Sequence, residues 1–142
     1  MKIYVASSWR NQEQPNVVAF LRSAGHEVYD FRRPSSGDDG FHWGEIDLRW
    51  EGWTTGEYVR ALDHEIAAAG FESDFDAMKW ADACVLLLPC GRSAHLEAGY
   101  FVGASKPLHI YIPVSRTEPE LMYKMATGVH TELADLLGAL RP

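Results

Sequence analysis

The run Ala83-Cys84-Val85-Leu86-Leu87-Leu88 constrains this chain more than any other stretch. It is uniformly apolar, entered by Asp82 and left through Pro89 and Gly91, so neither of its faces suits water. Such a short run fits a central strand of a parallel sheet, covered on both sides by helices. Lys2–Ala6, His26–Phe31, Leu108–Ile112 and a short Val129-His130 read as further strands. Helical patterns alternate with them. Pro15 suits a first turn, Val17, Phe20, Leu21 and Ala24 recur at helical spacing, and Gly25 closes that helix. Thr54-x-x-Glu57 is a capping box that predicts a helix from about Gly56 to Ala69, ended by Gly70. Ser73-x-x-Asp76 predicts a short helix through Trp80. Ala94–Ala104, Thr117 to about Ala126 and Thr131–Leu140 complete the set. This alternation predicts an α/β fold: a three-layer, doubly wound parallel sheet of Rossmann or flavodoxin type with four to five strands.

At 142 residues the chain has the length of one domain. The expected organisation is a single domain, 1–142, with a Trp-rich insertion or lid at about 32–56. Pro34, Ser35, Ser36, Gly37 and Gly40 set turns there, and Trp43, Trp50 and Trp53 follow. A structureless connection this long is usually functional. The three indoles have two readings, as a lid stacking on an aromatic ligand or as anchors of the loop or of a subunit interface.

Charge is unevenly spread. Residues 38–76 hold eleven acids against Arg49 and Arg60, so this segment carries −9 of a total of −7 and the remainder is +2. A grip on polyanionic DNA or RNA needs clustered Lys and Arg, so no nucleic-acid polymer is expected as partner. A small anionic ligand remains compatible. No apolar run reaches the roughly 20 residues of a membrane span, so no membrane partner is expected. The first residues read as a strand, not as a signal peptide. Two cysteines, Cys84 and Cys90, make no disulfide framework, which points to a cytoplasmic location. Cys84 reads as core. Cys90 has no base beside it in sequence to make it a nucleophile. The six histidines show no ligand spacing, so neither a metal nor a cofactor is expected.

Ligands of such sheets bind outside the carboxyl ends of the strands, near the point where strand order reverses. Two loops qualify, 7–11 and 89–93. Gly91-Arg92-Ser93 leads into a helix whose first turns carry His95 and Glu97, and free N–H groups at a helix start attract an anion. Glu97 is either a carboxylate beside the ligand or a complement to the helix dipole.

At these residues the chain resembles the nucleoside 2-deoxyribosyltransferase superfamily. The likeness rests on Ala81-Asp82-Ala83-Cys84-Val85-Leu86-Leu87-Leu88-Pro89, on Ser93-Ala94-His95-Leu96-Glu97-Ala98-Gly99-Tyr100, on Gly103-Ala104-Ser105-Lys106-Pro107 and on the opening Tyr4-Val5-Ala6-Ser7-Ser8-Trp9-Arg10. It spans roughly residues 2–25 and 72–113. The resemblance implies cleavage of the N-glycosidic bond of a small nucleoside or nucleoside 5′-monophosphate. It makes Glu97 the nucleophile and Asp74 the acid beside it, with Asp76 a neighbouring alternative. Tyr4, Ser7, Ser8, Trp9, Arg10, Gly91, Arg92 and Ser93 fall in the catalytic and substrate-binding positions, and a homodimer or higher homo-oligomer is implied. Gly91 stands where the transferase branch carries an aspartate, so hydrolysis is expected over base exchange. Two alternatives differ in outcome: a Toll/interleukin-1-receptor-like NAD glycohydrolase, and a non-catalytic nucleotide-sensing module.

Overall fold

The computed structural model describes residues 1–141 and contains a five-stranded, wholly parallel sheet in the order β2-β1-β3-β4-β5. The strands are β1 (Lys2–Ala6), β2 (Glu27–Tyr29), β3 (Ala83–Leu87), β4 (Leu108–Tyr111) and β5 (Gly128–His130). The helices are α1 (Gln14–Ser23), α2 (Thr55–Ala61), α3 (Glu65–Trp80), α4 (Arg92–Gly103) and α5 (Leu133–Ala139). This is the α/β architecture that the alternation predicts. The chain divides into two compact units. One holds Met1–Asp30 and the described residues from Trp80 onward, and the other is Phe31–Lys79.

The first unit contains the whole sheet. Side chains alternate along each strand, so the two sheet faces have separate cores. Ile3, Val5, Ala83, Val85 and Leu87 pack with Val17 and Leu21 of α1 and with Leu136 and Leu140 at the end of the chain. The opposite face carries Tyr4, Cys84, Leu86 and Ile110, and α4 contributes buried Ala94, Ala98 and Phe101. Every residue of β3 is buried, as its composition requires. In α1 the buried stripe is Gln14, Val17, Val18 and Leu21, whereas Phe20 is 48% exposed. The expected place of Phe20 is taken by Val18, one residue round the helix. Gly25 ends α1 at φ 91°, the left-handed conformation that glycine adopts without a Cβ clash.

The strand-entry motifs have structural duties. Asp82 accepts a 2.8 Å bond from the Lys2 N–H, and its own N–H reaches the Lys2 carbonyl, so it registers the start of β3 against β1. Lys106 donates at 2.7 Å to the Ala81 carbonyl and lies over the Phe101 ring. Ser105 takes the positive-φ position of that turn, at 59°.

In the second unit Thr54 accepts from the Glu57 N–H, and Glu57 accepts from the Thr54 hydroxyl instead of its backbone N–H, so half of the predicted box forms. The expected helix over Gly56–Ala69 is two helices, broken at Leu62-Asp63-His64. The expected stop at Gly70 and fresh start at Ser73 are absent, since α3 runs through both. A Cβ at Gly70 would lie 2.9 Å from Cβ of Phe41. The glycine is there to admit an aromatic neighbour, not to end a helix. The expected helix over Thr117–Ala126 is a 3-10 turn, Leu121–Met125, capped by Glu120.

Candidate active site

β1 leads to β2 on one side and β3 leads to β4 on the other, so the strand order reverses between β1 and β3. Their carboxyl ends open the crevice in which doubly wound sheets bind ligands. Both predicted loops are there, and two bonds staple them. Ser7 Oγ donates to the Leu87 carbonyl at 3.0 Å, and Asn11 Nδ2 donates to the Pro89 carbonyl at 3.1 Å. Asn11 Oδ1 also accepts from the Glu13 N–H at 2.9 Å. Ser8 closes the tight turn by accepting from the Arg10 N–H. The Leu88–Pro89 peptide bond is cis.

The loop after β3 ends at Gly91, the N-cap of α4, which offers no capping side chain. The opening N–H groups of Arg92, Ser93 and Ala94 therefore have no partner within the helix, the arrangement that suits an anion. Gly91, Arg92 and Ser93 are exposed, as are Trp9 and Arg10 in the first loop. Because α4 starts at Arg92, two residues before the predicted start, Glu97 stands on its second turn. Glu97 is half-buried.

The surroundings locate the Glu97 charge. Burial pushes the Cys90 thiol up to about 12, with the Glu97 carboxylate adding to the shift. Burial also pushes Cys84 well up, and Glu97 adds there too. The carboxylate thus acts on β3 and on the loop that follows it. Cys90 stays a protonated thiol at neutral pH, with Nδ1 of His95 3.8 Å from its Sγ, a ring neighbour that the sequence reading did not give it. Tyr4 pairs in register with Cys84, is fully buried, and stacks on Tyr29 at 5.4 Å between ring centroids, with Phe101 at 5.8 Å.

His95 is a contributor that its isolated position in the sequence conceals. Its Nδ1 is 2.7 Å from the Gly91 carbonyl, which can only accept, so Nδ1 carries the proton. Nε2 then accepts from the Tyr123 hydroxyl at 2.9 Å, and the two rings stack. This ties the Leu121–Met125 turn to the start of α4. Asn11 is the other residue missed. Its only sequence signal is a polar side chain in a loop, yet it is buried.

In the second unit, Asp74 lies half-buried on α3 and lines a cavity of about 230 Å³. Phe31, Phe41, Asp38 and Glu45 also line it. Asp76 is exposed, does not line the cavity, and pairs with Lys79 at 2.6 Å. Trp43 packs edge-on against Phe41, Trp53 and Tyr58. The Trp53 indole donates to Asp47 at 2.8 Å. The Asp47 carboxyl is held below its ordinary range by the Arg49 N–H and by this indole. Trp43 and Trp53 thus pack within their own segment.

No protein-family model and no curated protein matches the sequence. Solved structures do match it. A 2-deoxyribosyltransferase of the psychrotolerant bacterium Bacillus psychrosaccharolyticus aligns at 19% identity, covering 96% of this chain and 90% of that one, with a TM-score of 0.64. A CMP N-glycosidase of Clostridium botulinum aligns at 13% identity, covering 99% and 98%, with a TM-score of 0.54. This chain has their fold over nearly its whole length, so the resemblance read from its motifs extends to the architecture.

Proposed function

We propose that this chain is an N-glycosidase that hydrolyses the base–sugar bond of a nucleoside 5′-monophosphate or nucleoside. The observation that carries the reading is the position of Glu97. Its carboxylate stands on the helix that leaves the β3 loop, at the crossover of a fold shared with a deoxyribosyltransferase and a CMP N-glycosidase.

The chemistry runs in two balanced steps. A carboxylate oxygen of Glu97 bonds to C1′ while the C1′–N bond breaks, and the electron pair leaves with the base. Asp74, as the carboxylic acid, supplies a proton to the departing base. A water molecule then attacks C1′ of the glycosyl ester. Asp74 takes its proton, the ester bond breaks, and free sugar and the Glu97 carboxylate result. One water is consumed per base released. Asp74 is preferred to Asp76 because it lines a cavity, whereas Asp76 is committed to Lys79 in the open.

The exposed groups at the crossover hold the rest of the substrate. The N–H groups of Arg92 and Ser93 and the side chains of Arg10 and Arg92 suit a 5′-phosphate. Gly91 allows close backbone approach, Ser7 and Ser8 shape the sugar side, and Trp9 forms a wall. Tyr4, buried in register with Cys84, is the third catalytic residue of the proposal. Gly91 in place of a carboxylate favours water over a second base as acceptor.

A homodimer or higher homo-oligomer is part of the proposal. Leu96, Leu121 and Met122 expose 78%, 75% and 56% of their surface around the His95–Tyr123 link, an apolar surface suited to a second copy. Sedimentation velocity tests it: a dimer is expected, and a monomer at micromolar concentration contradicts it.

The activity is tested by incubating the protein with nucleosides, their 5′-monophosphates and NAD, and detecting free bases by mass spectrometry. Base release from a nucleoside or monophosphate is expected. Nicotinamide from NAD alone would establish the NAD glycohydrolase reading instead. Nucleotide binding without any base release would make the chain a sensing module.

A further inference from the structure

We infer that His95 is a positioning residue of the proposed reaction: through the Gly91 carbonyl it sets the Gly91–Arg92 peptide of the substrate loop, and Tyr123 holds its ring in the tautomer this requires. The inference rests on the N-glycosidase reading for the substrate class and for the part played by the loop.

Little else fixes that peptide. Glycine has the widest backbone freedom of any residue, and as the N-cap of α4 Gly91 has no side chain with which to bond the helix start. No neighbouring group lies within 4 Å of the place its Cβ would take, so packing does not hold it. The first backbone bond of α4, from the His95 N–H to the Gly91 carbonyl, is stretched to 3.4 Å, beyond the usual range of about 2.7–3.2 Å. The His95 side chain supplies the missing restraint, with Nδ1 2.7 Å from the same oxygen. The Gly91–Arg92 peptide is trans, so the Arg92 N–H points opposite to the Gly91 carbonyl. A ring that fixes the carbonyl therefore fixes the direction in which this N–H is presented.

Nδ1 makes that bond only as an N–H, and a neutral imidazole has two tautomers. Tyr123 selects one of them. Its hydroxyl donates to Nε2 at 2.9 Å, and its ring stacks on the imidazole with 14° between the planes. Burial pushes the Tyr123 hydroxyl up from its ordinary value, with Cys90 and Glu120 adding, so it remains a donor at neutral pH. Asn11 steadies the other end of the same loop at the Pro89 carbonyl. Glu97 stands one turn further on, within the regular part of α4. The effect of His95 therefore falls on substrate binding more than on bond breaking.

The test compares His95→Ala, His95→Asn and His95→Gln in base release, on whichever nucleoside or nucleoside 5′-monophosphate the wild type cleaves best. The Asn amide lies where Nδ1 does and donates to the Gly91 carbonyl, whereas the Gln amide reaches the place of Nε2 and bonds Tyr123 alone. Ala and Gln are expected to raise KM about three- to tenfold with kcat little changed. Asn is expected to restore KM to near the wild-type value. Tyr123→Phe keeps the stacked ring and loses the donor, so a smaller rise in KM is expected, and no rise overturns the part given to Tyr123. An unchanged KM in His95→Ala, an equal rise in the Asn and Gln variants, or a loss confined to kcat overturns the inference. Thermal melts accompany each variant, and the contrast between Asn and Gln decides even where Ala lowers Tm. If the wild type releases no base, the same proteins are titrated with AMP, CMP, GMP and UMP by calorimetry. Binding weakened in Ala and Gln but not in Asn then means that the catalytic reading fails and the positioning role stands. Equal binding by all variants, or no binding by the wild type, overturns it.

Discussion

Asn11 Nδ2 donates to the Pro89 carbonyl at 3.1 Å, joining two loops 78 residues apart in sequence across the crossover between β1 and β3. The same side chain caps the Glu13 N–H with its oxygen, and it is 5% exposed. One buried amide thus sets the spacing of both candidate substrate loops.

Replacing it has two consequences. Asn11→Ala removes two part-buried hydrogen bonds, to the Pro89 carbonyl and from the Glu13 N–H, at a cost of about 0.5–1.5 kcal/mol each. A fall of several degrees in Tm is expected. The residual folded enzyme should release base more slowly, because the loops no longer hold a fixed separation. A variant with unchanged Tm would show that the staple adds nothing.

Cys90 reports on Glu97 without reference to turnover. Its thiol is pushed up to about 12 by burial and by the Glu97 charge, so iodoacetamide should alkylate it very slowly at pH 8. Glu97→Gln removes the charge and leaves the burial. Alkylation of Cys90 should then speed up severalfold, while fully buried Cys84 stays unmodified. Peptide mass mapping reads both sites. No change in rate would mean that the Glu97 carboxylate stands farther from the β3 loop than its helix position indicates.

The helix carrying Glu97 was legible because a backbone turn into a helix start has a local signature, Pro89 through Ser93. The uniformly apolar composition of β3 likewise declares its central place. Other features depend on partners distant in sequence. Gly70 reads as a helix stop until Phe41 is seen against it. Asp74 and Asp76 are both acids two residues apart, and only the cavity and Lys79 separate them. Asn11 and His95 read as ordinary polar residues, because their bonds reach Pro89 and Tyr123. Tyr4 carries a site motif, and its burial between Tyr29 and Phe101 follows only from the sheet order.

The pair His109–His130 gives the fold a pH dependence of definite sign. His109 Nδ1 lies 3.1 Å from His130 Nε2, and burial, with His130 adding, lowers the His109 pKa from its ordinary 6.5. The unfolded chain therefore binds this proton more readily than the native one. The stability associated with neutral His109 is present above about pH 6.5 and is lost as pH falls toward its lowered native value. Urea midpoints measured from pH 7.5 to 5 should decline, and His109→Phe should flatten that slope. A slope unchanged in the variant would assign the decline to other groups.

The central claim is that Glu97 forms the bond to C1′. Its most direct measurement is the initial rate of base release by Glu97→Gln and wild-type protein, on whichever nucleotide the wild type cleaves, with matched thermal melts. The account predicts a loss of about 10⁴-fold or more, the scale seen when a nucleophile is removed, with Tm little changed. A variant that releases base at the wild-type rate would contradict it.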